Sequence, residues 1–218
     1  MYLAIDAVLD QAEVAAIRAS AAGLQFQDGR ETAGRYASEV KANDQATASP
    51  ARDALLARVE KALLANDLFT LAARPRALSK LLLSRYRQGQ TYGLHVDDAL
   101  MAGLRTDLSF TLFLSDEASY DGGALVIEDS LESRAVRLPA GSLILYPSTT
   151  LHRVDPVTAG ERLAIVGWVQ SWVRAAGERE ILFDLEMALL RVHEESGKSD
   201  LFDLLAKSRT NLLRMWAG

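Results

Sequence analysis

The chain contains no cysteine. That excludes a disulfide framework, a thiolate metal site and a cysteine nucleophile. It also has no apolar run approaching the ~20 residues that cross a bilayer. Its start, Met1-Tyr2-Leu3-Ala4-Ile5-Asp6, lacks the basic residues and apolar stretch of a secretion signal. These absences set the expectation of a cytoplasmic protein with no membrane partner. Positive charge is not in excess either: 24 Lys and Arg against 29 Asp and Glu give a net charge of −5, which argues against a general nucleic-acid binder. Histidine is the last scarcity, with only His95, His152 and His193 in the chain.

At 218 residues, 49% of them hydrophobic, the chain can bury a sizeable core as one large domain or one domain with an appendage. Asp10 is placed to cap a helix running to about Ala22, with Val14 and Ile17 on one face and Gly23 as a stop. Gln27 to Ser49 shows no steady period and reads as an extended loop. Ser49-Pro50 opens a second helix, with Leu55, Leu56, Val59, Leu63 and Leu64 at helical spacing. From Leu78 the period changes, and strands are predicted at 78–86, 92–97, 106–114, 124–128, 133–138, 142–146, 151–154 and 162–173, separated by turn signals such as Tyr120-Asp121-Gly122-Gly123. This rhythm predicts an α+β fold, with a double-stranded β-helix (jelly-roll) barrel flanked by N-terminal helices and a C-terminal helical extension. The expected division is 1–77, 78–174 and 175–218. Leucines recur at helical spacing beyond Gly177, as a cover for the barrel or as a homodimer face.

Two of the three histidines fall in a pattern with chemical meaning. His95-Val96-Asp97 on a strand would point both ligating side chains to one face and Val96 to the other. His152, on another strand, would supply a third donor. Two imidazoles and one carboxylate suit ferrous iron and leave one face of the metal open. Asp98 has the wrong parity to share it. Arg162, ten residues beyond His152, is the residue type that holds a carboxylate through two parallel hydrogen bonds. The plainer alternatives are two ordinary, partly buried histidines and a loop arginine. His193, in Arg191-Val192-His193-Glu194-Glu195, reads as a solvated helix residue.

The motifs Tyr92-Gly93-Leu94-His95-Val96-Asp97, Arg105-Thr106-Asp107-Leu108-Ser109 and Tyr120-Asp121-Gly122-Gly123 resemble those of the iron(II)- and 2-oxoglutarate-dependent dioxygenases. So do Tyr146-Pro147-Ser148, His152-Arg153-Val154, Gly160-Glu161-Arg162 and Trp168-Val169-Gln170-Ser171-Trp172. With Val40-Lys41-Ala42-Asn43-Asp44-Gln45 upstream, the resemblance is closest to the PKHD-type hydroxylases and covers nearly the whole chain. It implies His95, Asp97 and His152 as ligands of Fe(2+), and Arg162 as the partner of the far carboxylate of 2-oxoglutarate. Tyr86 and Thr111 are further candidate contacts of that co-substrate, with barrel packing as the alternative for Tyr86. O2 would be consumed, with succinate and CO2 as co-products, and L-ascorbate is a further candidate cofactor.

The expected function is hydroxylation of a peptidyl substrate or a small metabolite, the latter including molecules of iron uptake. The 27–49 loop is expected to line the pocket for that substrate through Lys41, Asn43 and Gln45. A non-catalytic, cupin-like metal-binding sensor is the alternative; it would keep the three ligands without needing Arg162. A metal-free interaction scaffold is another.

Overall fold

The computed structural model describes residues 1–128 and 131–218. In chain order the elements are β1 (Leu3–Ile5), α1 (Gln11–Ala22), β2 (Phe26–Asp28), β3 (Lys41–Ala42), β4 (Asp44–Ala46), α2 (Pro50–Ala65), α3 (Asp67–Ala73), β5 (Pro75–Leu78), β6 (Leu82–Arg87) and β7 (Thr91–His95). There follow β8 (Leu100–Met101), β9 (Leu104–Arg105), β10 (Leu108–Phe113), β11 (Tyr120–Gly122), β12 (Leu125–Glu128), β13 (Ser133–Val136), β14 (Leu143–Pro147), β15 (His152–Val154), β16 (Val157–Ser171), α4 (Ala176–Ser196) and α5 (Asp200–Trp216).

Both expected N-terminal helices form with the expected caps. Asp10 and Glu13 close a reciprocal capping box on α1, and Ser49 caps α2 ahead of its first-turn proline. Helix α3, capped by Asn66, was not expected from the spacing, because at seven residues it is too short to show a period.

The strands form two antiparallel sheets and a small hairpin, β8-β9. The larger sheet runs β1-β14-β10-β16-β6-β4-β2, and the smaller runs β13-β12-β15-β7-β3. Strand parity divides the larger sheet's side chains between two cores. Leu83, Phe110, Leu112, Leu143, Leu145, Leu163 and Ile165 pack with Val14, Ile17, Val59, Leu63 and Phe69 of the helices. Their neighbours Tyr86, Phe113, Ile144 and Tyr146 turn the other way and pack against Leu125, Ile127 and Val154 of the smaller sheet. Each buried side chain of this size contributes about 1.5–3 kcal/mol, so the helix-side core carries most of the stability. The inter-sheet core is left smaller and partly polar.

Three departures from the sequence expectation bear on the site. Residues 27–49 are not an unbroken loop: they contain two 3-10 turns, Gly29–Thr32 and Ala37–Val40, and the strands β3 and β4. Strand β3 pairs with β7 of the smaller sheet, while β4 pairs with β6 of the larger. One short run of backbone therefore crosses from sheet to sheet along the side of the cleft. Asp97 lies beyond the end of β7, so strand geometry does not orient it. Arg162 does not begin a strand but lies inside the 15-residue β16, whose early part extends because β11 pairs with it. At Gly160 a Cβ would stand 2.3 Å from the Ser119 carbonyl oxygen, an approach open only to glycine.

Beyond the sheets, α4 and α5 pack on each other and α4 contacts α3. Glu186 of α4 takes ion pairs from Arg74 at 3.6 Å and Arg209 at 3.2 Å. Helix α5 has no buried residue among those described and exposes Leu201, Leu204 and Met215. His193 is exposed on α4, its ring 5.4 Å from that of Phe202.

Candidate metal centre and co-substrate cleft

Strands β7 and β15 are neighbours in the smaller sheet, and His95 faces His152 directly across the ladder. Their ring centroids are 4.2 Å apart. His95 Nδ1 contacts the Gly93 carbonyl at 2.8 Å and His152 Nδ1 contacts the Thr150 carbonyl at 3.0 Å. A carbonyl only accepts, so each Nδ1 carries the proton and donates it, leaving both Nε2 lone pairs free. Asp97 completes the group, with carboxylate oxygens 4.0 Å from His95 Nε2 and 3.8 Å from His152 Nε2. One donor atom from each residue falls within 4.8 Å of the others. Burial, then the adjacent His152, pushes the His95 imidazole down to about 4, against weaker upward pulls from the Gly93 carbonyl and Asp97. Convergent imidazole nitrogens beside a carboxylate form a donor set suited to a divalent transition metal.

A supporting layer surrounds these donors. Ser109 Oγ donates to Asp97 at 2.6 Å and lies 2.8 Å from Ser148 Oγ. That serine pair orients a carboxylate which no strand holds. Tyr92 lies on His95 with ring centroids 3.6 Å apart and planes at 16°. In a regular strand residues three apart face opposite ways, but the β7-β15 register slips between Tyr92 and His95. This bulge turns both rings to one side. The roles of Ser109, Ser148 and Tyr92 were missed in the sequence; for Ser109 the available signal was its strand parity with Thr111.

The donors open into a cleft between the sheets. Tyr86 and Thr111 both line it, buried on the inner face of the larger sheet. Arg162 is the Cα partner of Tyr86 on β16-β6 and lies behind it, 5.3 Å from the Tyr86 ring and 5.2 Å from that of Phe113. It is 1% exposed, and its Nε and Nη2 have no hydrogen-bond partner. A buried guanidinium with idle donors is costly unless an anion satisfies it. Burial raises the Tyr86 phenol above its ordinary range, and Arg162 opposes that rise, so Tyr86 stays a hydrogen-bond donor.

Lys41, Asn43 and Gln45 alternate inward from the segment that joins the sheets, 5%, 3% and 4% exposed, and all three line the cleft. They are not equivalent. Gln45 is already engaged by Thr32 and lies 3.5 Å from Ser84 Oγ. Asn43 has neither amide atom paired. Lys41 donates to Thr32 Oγ1 at 3.0 Å, and burial brings its ammonium down to about 8 against the upward pull of Asp97.

Known proteins share this architecture. The sequence profile of the 2OG-Fe(II) oxygenase superfamily matches residues 81–170. A PKHD-type hydroxylase of Synechococcus elongatus is 52% identical over 222 residues, covering 100% of each chain. Another, from Parvibaculum lavamentivorans, is 54% identical over 191 residues, covering 88% of this chain and 87% of its own. Among solved structures, a prolyl-4-hydroxylase of Pseudomonas putida aligns with a TM-score of 0.56 at 22% identity, covering 78% of this chain and 92% of that one. HygX of Streptomyces hygroscopicus, with nickel and 2-oxoglutarate bound, aligns at 0.58 with 16% identity, covering 79% of this chain and 84% of its own. The structural likenesses speak to the fold, and the full-length identities to ancestry. The chain belongs to the PKHD-type hydroxylases, within the iron(II)- and 2-oxoglutarate-dependent oxygenases.

Proposed function

We propose that His95, Asp97 and His152 hold the ferrous ion of this oxygenase, and that Arg162 receives the far carboxylate of 2-oxoglutarate. Tyr86 and Thr111 are its neighbours in the same wall. When bound, iron and 2-oxoglutarate supply the oxidising chemistry: O2 is consumed, 2-oxoglutarate becomes succinate and CO2, and a substrate C–H becomes C–OH. The residues of the chain bind, orient and shield. The Nδ1–H groups of both histidines, held by backbone carbonyls, keep Nε2 available. Ser109 fixes Asp97, and the segment of Lys41, Asn43 and Gln45 walls the cleft from water.

The observation that carries this reading is the pairing of a three-donor group with a buried arginine whose Nε and Nη2 lack partners. A metal-binding sensor of cupin type would have no use for that arginine. The two facing antiparallel sheets are read as a double-stranded β-helix centred on 78–174, with 1–77 adding β1 to β4 to the sheets and packing its helices on them, and with 175–218 as an extension. The exposed leucines of α5 fit a homodimer face, the acidic net charge fits an enzyme without a nucleic-acid partner, and the lack of cysteine fits the expected cytoplasmic location. L-ascorbate is assigned as an auxiliary reductant on the resemblance alone. The hydroxylated substrate is a peptidyl group or a small metabolite.

The test is an anaerobic visible-absorption titration of metal-free protein with ferrous iron and then 2-oxoglutarate. A weak charge-transfer band requiring both is expected. Arg162→Ala should keep iron binding and weaken 2-oxoglutarate roughly ten- to hundredfold, the loss of charge-assisted hydrogen bonds. Unchanged co-substrate affinity in that variant would return the protein to the sensor reading.

A further inference from the structure

Charge within the cleft does not close with iron and 2-oxoglutarate alone. A ferrous ion carries two positive charges, Asp97 one negative, 2-oxoglutarate two negative and Arg162 one positive, which together cancel. Lys41 then remains. It is 5% exposed, and its ammonium lies 5.0 Å from the centre of the Tyr92 ring. Of its three donors, one is used by Thr32 Oγ1. No described carboxylate lies within ion-pair distance. The anions acting on it are Asp97, committed to the metal under the reading above, and Asp28. Asp28 is exposed and already faces Arg30 at 3.4 Å. Asp98 borders the cleft but is solvent-exposed and is not among the charges acting on Lys41. A buried cation without a counter-charge is a standing cost, relieved when a ligand brings one.

Lys41 is also poorly placed to duplicate Arg162. It projects from the edge strand of the smaller sheet, opposite Tyr92, whereas Arg162 belongs to the larger sheet behind Tyr86. Leu82, Val96 and Met101 line the same cleft and give it an apolar stretch.

We propose that Lys41 receives a carboxylate of the substrate to be hydroxylated, whose hydrocarbon part lies along Leu82, Val96 and Met101. The inference rests on the metal and co-substrate assignment above and adds the class of molecule. The overall reaction is unchanged: R–H, O2 and 2-oxoglutarate give R–OH, succinate and CO2, with R bearing the carboxylate. A free aliphatic acid and the C-terminus of a peptide share this chemistry.

The experiment uses the anaerobic protein loaded with ferrous iron and 2-oxoglutarate, and reads the shift of the charge-transfer band. The probes are 4-methylpentanoate against 4-methylpentanamide, and N-acetyl-glycyl-leucine against its C-terminal amide. Saturable shifts with an acid and not with its amide are expected. Lys41→Met should weaken them roughly ten- to hundredfold, as for a lost hydrogen bond to a charged group, and Lys41→Arg should keep them. A response to the small acid identifies a free acid, and a response to the peptide acid alone identifies a chain terminus. Equal response to acid and amide, no response to any probe, or an unweakened acid in Lys41→Met overturns the inference. Loss of the band itself in Lys41→Met, with Lys41→Arg intact, would assign the ammonium to 2-oxoglutarate and overturn it too. A band that never forms in the unaltered protein overturns the metal assignment and the inference together, whereas a normal band indifferent to carboxylates overturns the inference alone.

Discussion

Tyr92 lies almost flat against His95, ring centroids 3.6 Å apart, so one of the three candidate metal donors is braced by an aromatic plane as well as by the Gly93 carbonyl. A stacked pair of this kind contributes about 0.5–1.5 kcal/mol. Tyr92→Leu should therefore weaken ferrous binding by up to about tenfold, a conversion of about 1.4 kcal/mol, while Tyr92→Phe keeps it. Competition for iron against a chelator of known affinity measures both.

Ser109 holds the one candidate donor that is off the sheet. Ser109→Ala removes the 2.6 Å hydrogen bond to Asp97 and frees that carboxylate to rotate. Loss of an outer-shell partner typically costs about 10- to 100-fold in metal affinity. The same chelator competition should show this with little change in thermal stability. A variant with unaltered affinity would mean that backbone alone orients Asp97.

Gly93 sits at the bulge, and a Cβ there would stand 2.8 Å from Val40 Cβ. Gly93→Ala must push the 3-10 turn of Ala37–Val40 away from β7. Overpacking of this kind costs about 1–3 kcal/mol, which urea denaturation of the metal-free protein would register. Val40→Gly in the same chain, which removes that Cβ, should recover part of the loss. Absence of any recovery would place the strain elsewhere.

The His95 imidazole sets a pH dependence whose sign can be worked out. Burial, then His152, holds it at about 4, below the ordinary 6.5, so the unfolded chain takes up this proton before the folded one. The neutral ring's contribution to stability is full above the unfolded value and is lost as pH falls from about 6.5 toward 4. The metal-free protein should melt at lower temperature across that window. His95→Leu should flatten the slope, and an identical slope in the variant would assign the effect to other groups.

The sequence made the donors visible and left their support hidden. His95, Asp97 and His152 could be read as one group because a short ligand motif and a distant histidine carry their own chemistry; Arg162 drew attention by its residue type and its spacing after His152. Asp97 was expected on the strand; it lies past its end, held by Ser109, itself bonded to Ser148, which nothing in the local pattern marks. The bulge that brings Tyr92 onto His95 is a property of register between β7 and β15, and a single strand carries no register. Residues 27–49 lacked a period because their strands are only two or three residues long. The inward alternation of Lys41, Asn43 and Gln45 was nonetheless there to be read.

That same run of backbone is tied to one sheet at Lys41–Ala42 and to the other at Asp44–Ala46, with only Asn43 between the two ties. Adding or removing one residue would invert the alternation on one side and turn either Lys41 or Gln45 out of the cleft. Change in the chemistry of this wall is therefore open to exchange of side chains and closed to variation in length. Divergent members of the lineage would be expected to differ here in letters and not in spacing.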